Sequence, residues 1–270
     1  MREPATVVMA PGSTRSRWRV DHWFYISVAL FMIVLNVAAF APSLVNSTSR
    51  LGPPTPLVAA HGTVSFGFLL FFLTQTTLVA IGRTVVHRRF GLVGAVLAVA
   101  MIVLTYAMSI EGARRGYDLS GDLQRLEVAG QSLPPEALRA VPSDRGIGLA
   151  LNVGQVVAFG ILVGAGIWYR RRPHVHKRLM LLAMLGVLTG PPFAHLFGHW
   201  PTLGAVTSIV QLPITILLLS VSAIHDRLTE RRVHLVSISI PILIFVWFGV
   251  WISVIGPSPA WQAFTAWLIR

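Results

Sequence analysis

The chain of 270 residues contains no cysteine and few charged residues. Without cysteine it can form no disulfide, no thiolate metal site and no thiol chemistry, so any metal or cofactor must be bound by other side chains or by the backbone. Charged residues make up 12% of the chain, whereas soluble domains carry about 25%. With 54% hydrophobic residues and a mean hydropathy of +0.69, the composition suits a bilayer and not water.

Several motifs of catalysis and nucleotide binding are also absent. The sequence has no Walker loop, dinucleotide fingerprint, Gly-x-Ser-x-Gly elbow or His-Glu-x-x-His string, which leaves enzymatic activity open. No Asp, Glu, Lys or Arg lies in the centre of a long apolar run, and this weakens a proton-coupled transporter or pump. The net charge of +12 does not indicate nucleic-acid binding, because nearly all the charges lie between the apolar runs.

The apolar runs predict an all-α polytopic membrane protein. A run of about 20 residues crosses a bilayer, and seven such runs occur, at about 23–45, 57–81, 90–110, 147–169, 177–198, 203–224 and 235–256. The first run is longer than the 7–15 apolar residues of a signal peptide, so we interpret it as a membrane anchor. Residues 23–256 are therefore expected to form a seven-helix transmembrane domain that follows a basic tail, residues 1–22.

The distribution of basic residues predicts the orientation. With the N-terminus in the cytoplasm, 15 of the 22 Lys and Arg residues fall in cytoplasmic segments, whereas the short outer segments hold only Arg50 and Arg270. Positive charge beside a span is retained in the cytoplasm, so we expect the N-terminus inside and the C-terminus outside. The long connection 111–146 then forms a partly helical outer cap, and the aromatic tail 257–270 forms a short helix in the outer interface.

Two cytoplasmic turns resemble each other. In each, a His followed by two basic residues and a large apolar residue opens an outgoing helix, at His87-Arg88-Arg89-Phe90 and at His176-Lys177-Arg178-Leu179. The two hairpins run in the same direction, as in membrane proteins built from parallel repeats. Gln75 and Gln155 on the incoming helices add a weaker match. Duplication and chance are both consistent with so few shared residues.

The segments that carry these turns, HGTVSFGFLLFFLTQTTLVAIGRTVVHRRFG and HVHKRLMLLAM, resemble a group of small bacterial polytopic membrane proteins. Its members have a His-Arg-Arg-x-Gly turn and a His-x-Arg-Leu-Met turn and are classed as a domain of unknown function. The resemblance covers the second to fifth helices and implies a membrane fold without an established activity. A looser similarity, in helix number and paired histidines, is to transmembrane b-type cytochromes, from which this chain departs because its fourth helix has no His.

The nine histidines divide between the two faces of the predicted bundle. At the cytoplasmic face, His87 and His176 are candidate axial ligands of a haem b, with Arg88 and Arg178 as partners for its propionates. Alternatively, these basic turns anchor the chain at lipid headgroups or bind another anion. The 19 residues from His176 to His195 span about 28 Å of helix, so one cofactor cannot reach both faces.

At the outer face, His195 and His199 are four residues apart and can share one side of the fifth helix. Such spacing suits two imidazoles on one metal ion, with His61 of the second helix as a third ligand. Pro191-Pro192 is expected to kink the helix before them. In the competing interpretation, His195 binds a carbonyl that the prolines free, while His199 lies in water.

These features support three hypotheses, none of which the sequence decides. The first is a redox or cofactor-assembly protein of the bacterial cytoplasmic membrane that binds haem b or a divalent metal ion. The second is a non-enzymatic subunit that docks a membrane protein complex or forms a homo-oligomer in the lipid bilayer. The third, a transporter of a small neutral or anionic solute, rests on the polytopic architecture alone. No partnership with nucleic acid is expected.

Overall fold

The computed structural model describes residues 12–45, 55–115, 135–198 and 204–268. Within these ranges the chain consists of helices and short turns, without strands, so the all-α class is confirmed there. A 3₁₀ turn at Tyr169–Arg171 and a π-helical turn at Trp251–Ile255 complete the secondary structure. The α-helices are α1 (Gly12–Val45), α2 (Pro56–Ala80), α3 (Thr84–Arg115), α4 (Pro135–Trp168), α5 (Pro173–Val187), α6 (Gly190–Gly198), α7 (Gly204–Glu230), α8 (Leu235–Val250) and α9 (Pro259–Leu268).

Five helical segments among the described residues are long and apolar enough to cross a membrane: Asp21–Pro42, Pro56–Ala80, Thr84–Ala113, Gly146–Arg171 and Leu235–Ile255. They correspond to the first four predicted spans and the last. Their outer surfaces are apolar, since Leu92, Val96 and Leu243 are each at least 60% exposed. Backbone groups within a helix are already paired, so helices with such surfaces suit a multi-pass membrane protein.

The predicted fifth span, 177–198, is divided into two helices, because α5 ends at Val187 and α6 begins at Gly190. A helical carbonyl at Val187 would accept a hydrogen bond from the residue four positions on, but that residue is Pro191, which has no N–H. The side chain of Gln155 on α4 donates to this carbonyl instead, at 2.5 Å. The proline pair therefore ends a helix here, where the sequence predicted only a kink.

Residues 204–224 of the predicted sixth span, 203–224, lie within α7, which continues to Glu230. The helix extends past the apolar run because the polar residues of its last turns, among them Asp226 and Glu230, are paired within the protein. The predicted cap, 111–146, is helical at both ends, because α3 continues to Arg115 and α4 starts at Pro135. Pro is favoured at the first position of a helix. The middle of the predicted cap, 116–134, lies outside the described residues.

Helix α5 forms the centre of the bundle. Its buried apolar residues, Leu179, Leu181, Leu182, Ala183, Met184, Leu185 and Val187, pack against α4, α7 and α8. The aromatic tail forms α9, as its pattern predicted, and the indole of Trp261 donates to the Gly146 carbonyl of α4 at 2.7 Å. A second indole, that of Trp247 on α8, donates to the Gly154 carbonyl at 2.8 Å. These contacts fix α8 and α9 along one side of α4.

Candidate functional site

The two similar turns place their histidines at equivalent positions. His87 is the fourth residue of α3, and its N–H donates to the Arg83 carbonyl at 3.0 Å. His176 is the fourth residue of α5, and its N–H donates to the Arg172 carbonyl at 3.0 Å. Each helix thus begins after an arginine and presents a histidine one turn later, so the two turns are equivalent in structure as well as in sequence.

The rings of His87 and His176 lie next to each other. Their centres are 6.2 Å apart and their planes are inclined by 72°. Two imidazoles on opposite sides of one metal ion, each with its nitrogen about 2.0–2.1 Å from the metal, have ring centres roughly 6 Å apart. The separation therefore fits two ligands of one metal centre. The two ligands come from helices that both pack against α4.

A hydrogen bond to α4 orients the His176 ring. Its Nδ1 lies 2.7 Å from the Gly166 carbonyl oxygen. Since a carbonyl can only accept, Nδ1 carries the hydrogen and the neutral ring keeps a lone pair at Nε2. Ligating histidines are commonly oriented by such a bond from their other nitrogen.

Two buried polar atoms, one on His87 and one on Gln75, lack hydrogen-bond partners among the described residues. Nδ1 of His87 is buried and has no hydrogen-bond partner among the described residues. The same holds for Nε2 of Gln75 on α2, a residue that is 8% exposed and whose backbone the His87 ring approaches. A buried polar atom left unpaired costs about 1–3 kcal/mol. Two such atoms from neighbouring residues suit a place where a ligand or water supplies the missing partners.

The predicted role of Arg178 as a partner for an anionic cofactor does not fit its environment. Its side chain has no exposed surface and forms a close ion pair with Asp226 of α7. The guanidinium also donates to Glu230 at 2.9 Å and to the His174 carbonyl at 2.6 Å. With its donors used within the protein, Arg178 joins helices α5 and α7. Arg88, by contrast, is exposed and acts electrostatically on the His87 ring.

The buried ion pair belongs to a larger network that joins four helices. Ser237 of α8 donates to Asp226 at 2.6 Å, and the backbone N–H of His234 donates to the same carboxylate at 3.2 Å. Ser222 and Ser237 are 2.9 Å apart. Lys177 donates to Asp21 of α1 at 2.9 Å. We call this set of paired residues the polar network.

The carboxylates of the polar network are held in their ionised form. Burial raises the pKa of Asp226, but the hydrogen bonds from Arg178 and Ser237 outweigh it, so the pKa lies below its usual range. The pKa of Glu230 is lowered by its bonds with His234 and Arg178, against the opposing effect of burial. Among the described residues, Asp226, Glu230 and His234 form a possible metal-binding group, because their ligand atoms lie within 4.8 Å of one another. Because the Arg178 guanidinium already donates to both carboxylates, a metal ion would have to displace it.

Near the polar network, the buried ring nitrogen Nε2 of His225 has no hydrogen-bond partner among the described residues. His225 is 7% exposed and its ring stacks on Phe24 with centres 3.9 Å apart. Its Nε2 lies 3.5 Å from an oxygen of Asp21, without the geometry of a hydrogen bond. Burial lowers the pKa of His225, although Asp21 opposes this effect.

The predicted outer metal site lies largely outside the described residues. His199 is not described, and of His195 only the backbone, within α6, is described. The ligand distances of that site therefore stay a prediction. On α2, Nδ1 of His61 and Oγ of Ser65, one turn apart, are buried and unpaired among the described residues. His61 lies 14 positions before Gln75 on the same helix, which separates it from the His87–His176 pair by about 21 Å.

Sequence reasoning missed the partners of Arg178. A signal was present, since Asp226 and Glu230 are four residues apart in a chain with only 10 acidic residues.

Comparisons of this chain with protein-family models, with curated proteins and with solved structures find no match.

Proposed function

We propose that this protein holds a metal-centred prosthetic group in the membrane, ligated by His87 and His176. The observation that carries the proposal is the pair of imidazoles 6.2 Å apart on two different helices. The bond from His176 to the Gly166 carbonyl supports it, since this bond leaves Nε2 as the ligand atom. The unpaired Nδ1 of His87 is a second nitrogen that needs a partner.

We further propose that the chain crosses the bacterial cytoplasmic membrane seven times, with its N-terminus in the cytoplasm. Helices α5 and α6 together make the fifth span, and α7 makes the sixth. The bias of basic residues supports this orientation. Reporter fusions after Arg172 and Arg232 should read as cytoplasmic, and fusions after Glu127 and Arg270 as external. An external reading at Arg172 would reverse the orientation.

With such a site, the chain acts as a redox subunit or a cofactor-assembly factor. A proton-coupled transporter receives less support, because the buried carboxylate Asp226 is held ionised by its hydrogen bonds and is a poor proton acceptor. A membrane subunit without a cofactor, which docks a partner complex, is the alternative if the site binds nothing.

The proposal is tested by analysis of the protein purified from membranes in mild detergent. The metal content and the absorption spectrum of one sample should show a bound metal centre. His87→Ala and His176→Ala should each remove most of it. His174→Ala is the matched control, because His174 lies in the first turn of the same helix as His176. Its ring lies against that of His234, with 6.0 Å between the ring centres. Full metal content in both ligand variants would exclude the site.

A further inference from the structure

The charges around the His87–His176 pair discriminate between the kinds of metal group that it can hold. Two neutral imidazoles bring no negative charge to the metal. Among the described residues, no carboxylate oxygen forms a group with ligand nitrogens of these two rings in which all three atoms lie within 4.8 Å of one another, so no acidic residue completes a three-ligand site here. A bare divalent ion here would keep its full charge in a partly buried place.

The nearest side chains add positive charge. Arg88 acts on the His87 ring, and Arg89, the next residue, is also exposed. The two cations that follow His176 are engaged elsewhere, because Lys177 pairs with Asp21 and Arg178 with Asp226. A divalent ion would therefore be repelled by Arg88 without a nearby anion, and an unpaired buried charge is strongly unfavourable.

A metalloporphyrin avoids this repulsion between the metal ion and Arg88. The macrocycle is a dianion, so it neutralises a ferrous ion before any protein ligand binds. Its propionates need a cationic partner, and the exposed Arg88 follows His87 directly on α3. Axial ligation by two imidazoles, one on each face of the ring, is a known protein arrangement for haem iron.

The first turns of α3 also leave space beside the histidine. Gly91 lies one turn after His87 on the same side of α3. A methyl group placed on Gly91 would meet no atom within 4 Å. This open surface next to the ligand is consistent with a flat macrocycle that lies against the helix.

We infer that the group held by His87 and His176 is a haem and not a bare divalent ion, with one imidazole bound to the iron from each face of the porphyrin. The inference rests on the proposed function, because it assumes that these two histidines are the ligands. It assigns Arg88 to the haem propionates and removes Arg178 from that role.

The test compares two probes on the same full-length protein, produced under haem limitation and purified in detergent. Haemin should bind at one equivalent per chain and give a low-spin, six-coordinate absorption spectrum, whereas zinc ions should not be retained after desalting. His87→Ala and His176→Ala should each lower the haemin affinity by more than about tenfold. His174→Ala should bind as the parent protein does.

A second substitution separates ligation from folding. His87→Met keeps an axial ligand, so it should retain haem while the reduction potential rises. If zinc binds at one equivalent through both histidines and haemin does not, the inference is wrong and the proposed function stands. If neither probe binds, or if haemin binds equally well to both alanine variants, the inference and the proposed function both fail.

Discussion

Replacement of Arg178 by methionine should be among the most destabilising single changes in this protein. The Arg178 side chain is fully buried and that of Asp226 is 2% exposed. Loss of one partner from a buried ion pair costs about 3–5 kcal/mol, because the remaining charge is left without compensation. In Arg178→Met, Asp226 keeps only the donors of Ser237 and His234.

The measurement is the unfolding free energy in detergent, followed by tryptophan fluorescence or by thermal melting. Arg232→Met is the matched control, since Arg232 is 76% exposed and its nearest carboxylate, that of Glu230, is 3.9 Å away. Exposed pairs contribute about 0–1 kcal/mol, so this variant should behave almost as the parent does. The double variant Arg178→Met with Asp226→Leu should be more stable than Arg178→Met alone, because it removes the uncompensated charge. Equal losses in Arg178→Met and Arg232→Met would refute the reasoning.

Two other predictions concern single buried groups. Gln155→Leu should lower the unfolding free energy by about 1–3 kcal/mol, because it leaves the Val187 carbonyl unpaired. Pro191→Ala supplies an N–H that can pair with this carbonyl, so the same Gln155→Leu change should cost less in that background. An equal cost in both backgrounds would contradict this account. Burial lowers the pKa of His225 below its usual 6.5, so its contribution to stability is present above that pH and is lost as pH falls towards the folded-state pKa. His225→Phe keeps an aromatic ring against Phe24, and it should weaken the dependence of the melting temperature on pH between pH 6.5 and 5. An unchanged pH dependence would exclude His225 as the group responsible.

The sequence predicted those features of the fold that depend on local composition. An apolar run of about 20 residues predicts a spanning helix because the bilayer sets its length, and five of the seven predicted runs correspond to such helices. The proximity of His87 and His176 was predicted from two similar turns, in each of which a His is followed by two basic residues and a large apolar residue. The first prediction uses a single run of about 20 residues, and the second compares two local turns that share one pattern although they lie far apart in the chain.

The polar network was not predicted because its members are far apart in sequence and no repeated pattern relates them. Arg178 and Asp226 are separated by 48 positions, and the basic residues near them were interpreted as topological signals. A positive charge that stays in the cytoplasm and one that pairs inside the protein look alike in a sequence. The end of α5 was missed for a related reason: proline predicts a lost hydrogen bond, but the partner that replaces it, Gln155, comes from another helix.

The His87–His176 pair and the polar network meet on the first turns of α5. His176 and Arg178 are two residues apart, which turns their side chains by about 200° around the helix axis. One side therefore faces the Gly166 carbonyl and His87, and the other faces Asp226. A buried ion pair adds little net stability over an apolar contact, but it specifies one arrangement of its helices, because other arrangements leave a charge unpaired. A two-histidine site needs such fixed geometry, since its ligands come from separate helices and must hold one separation. The polar network is thus best understood as the support that sets the position of α5, and with it the position of His176.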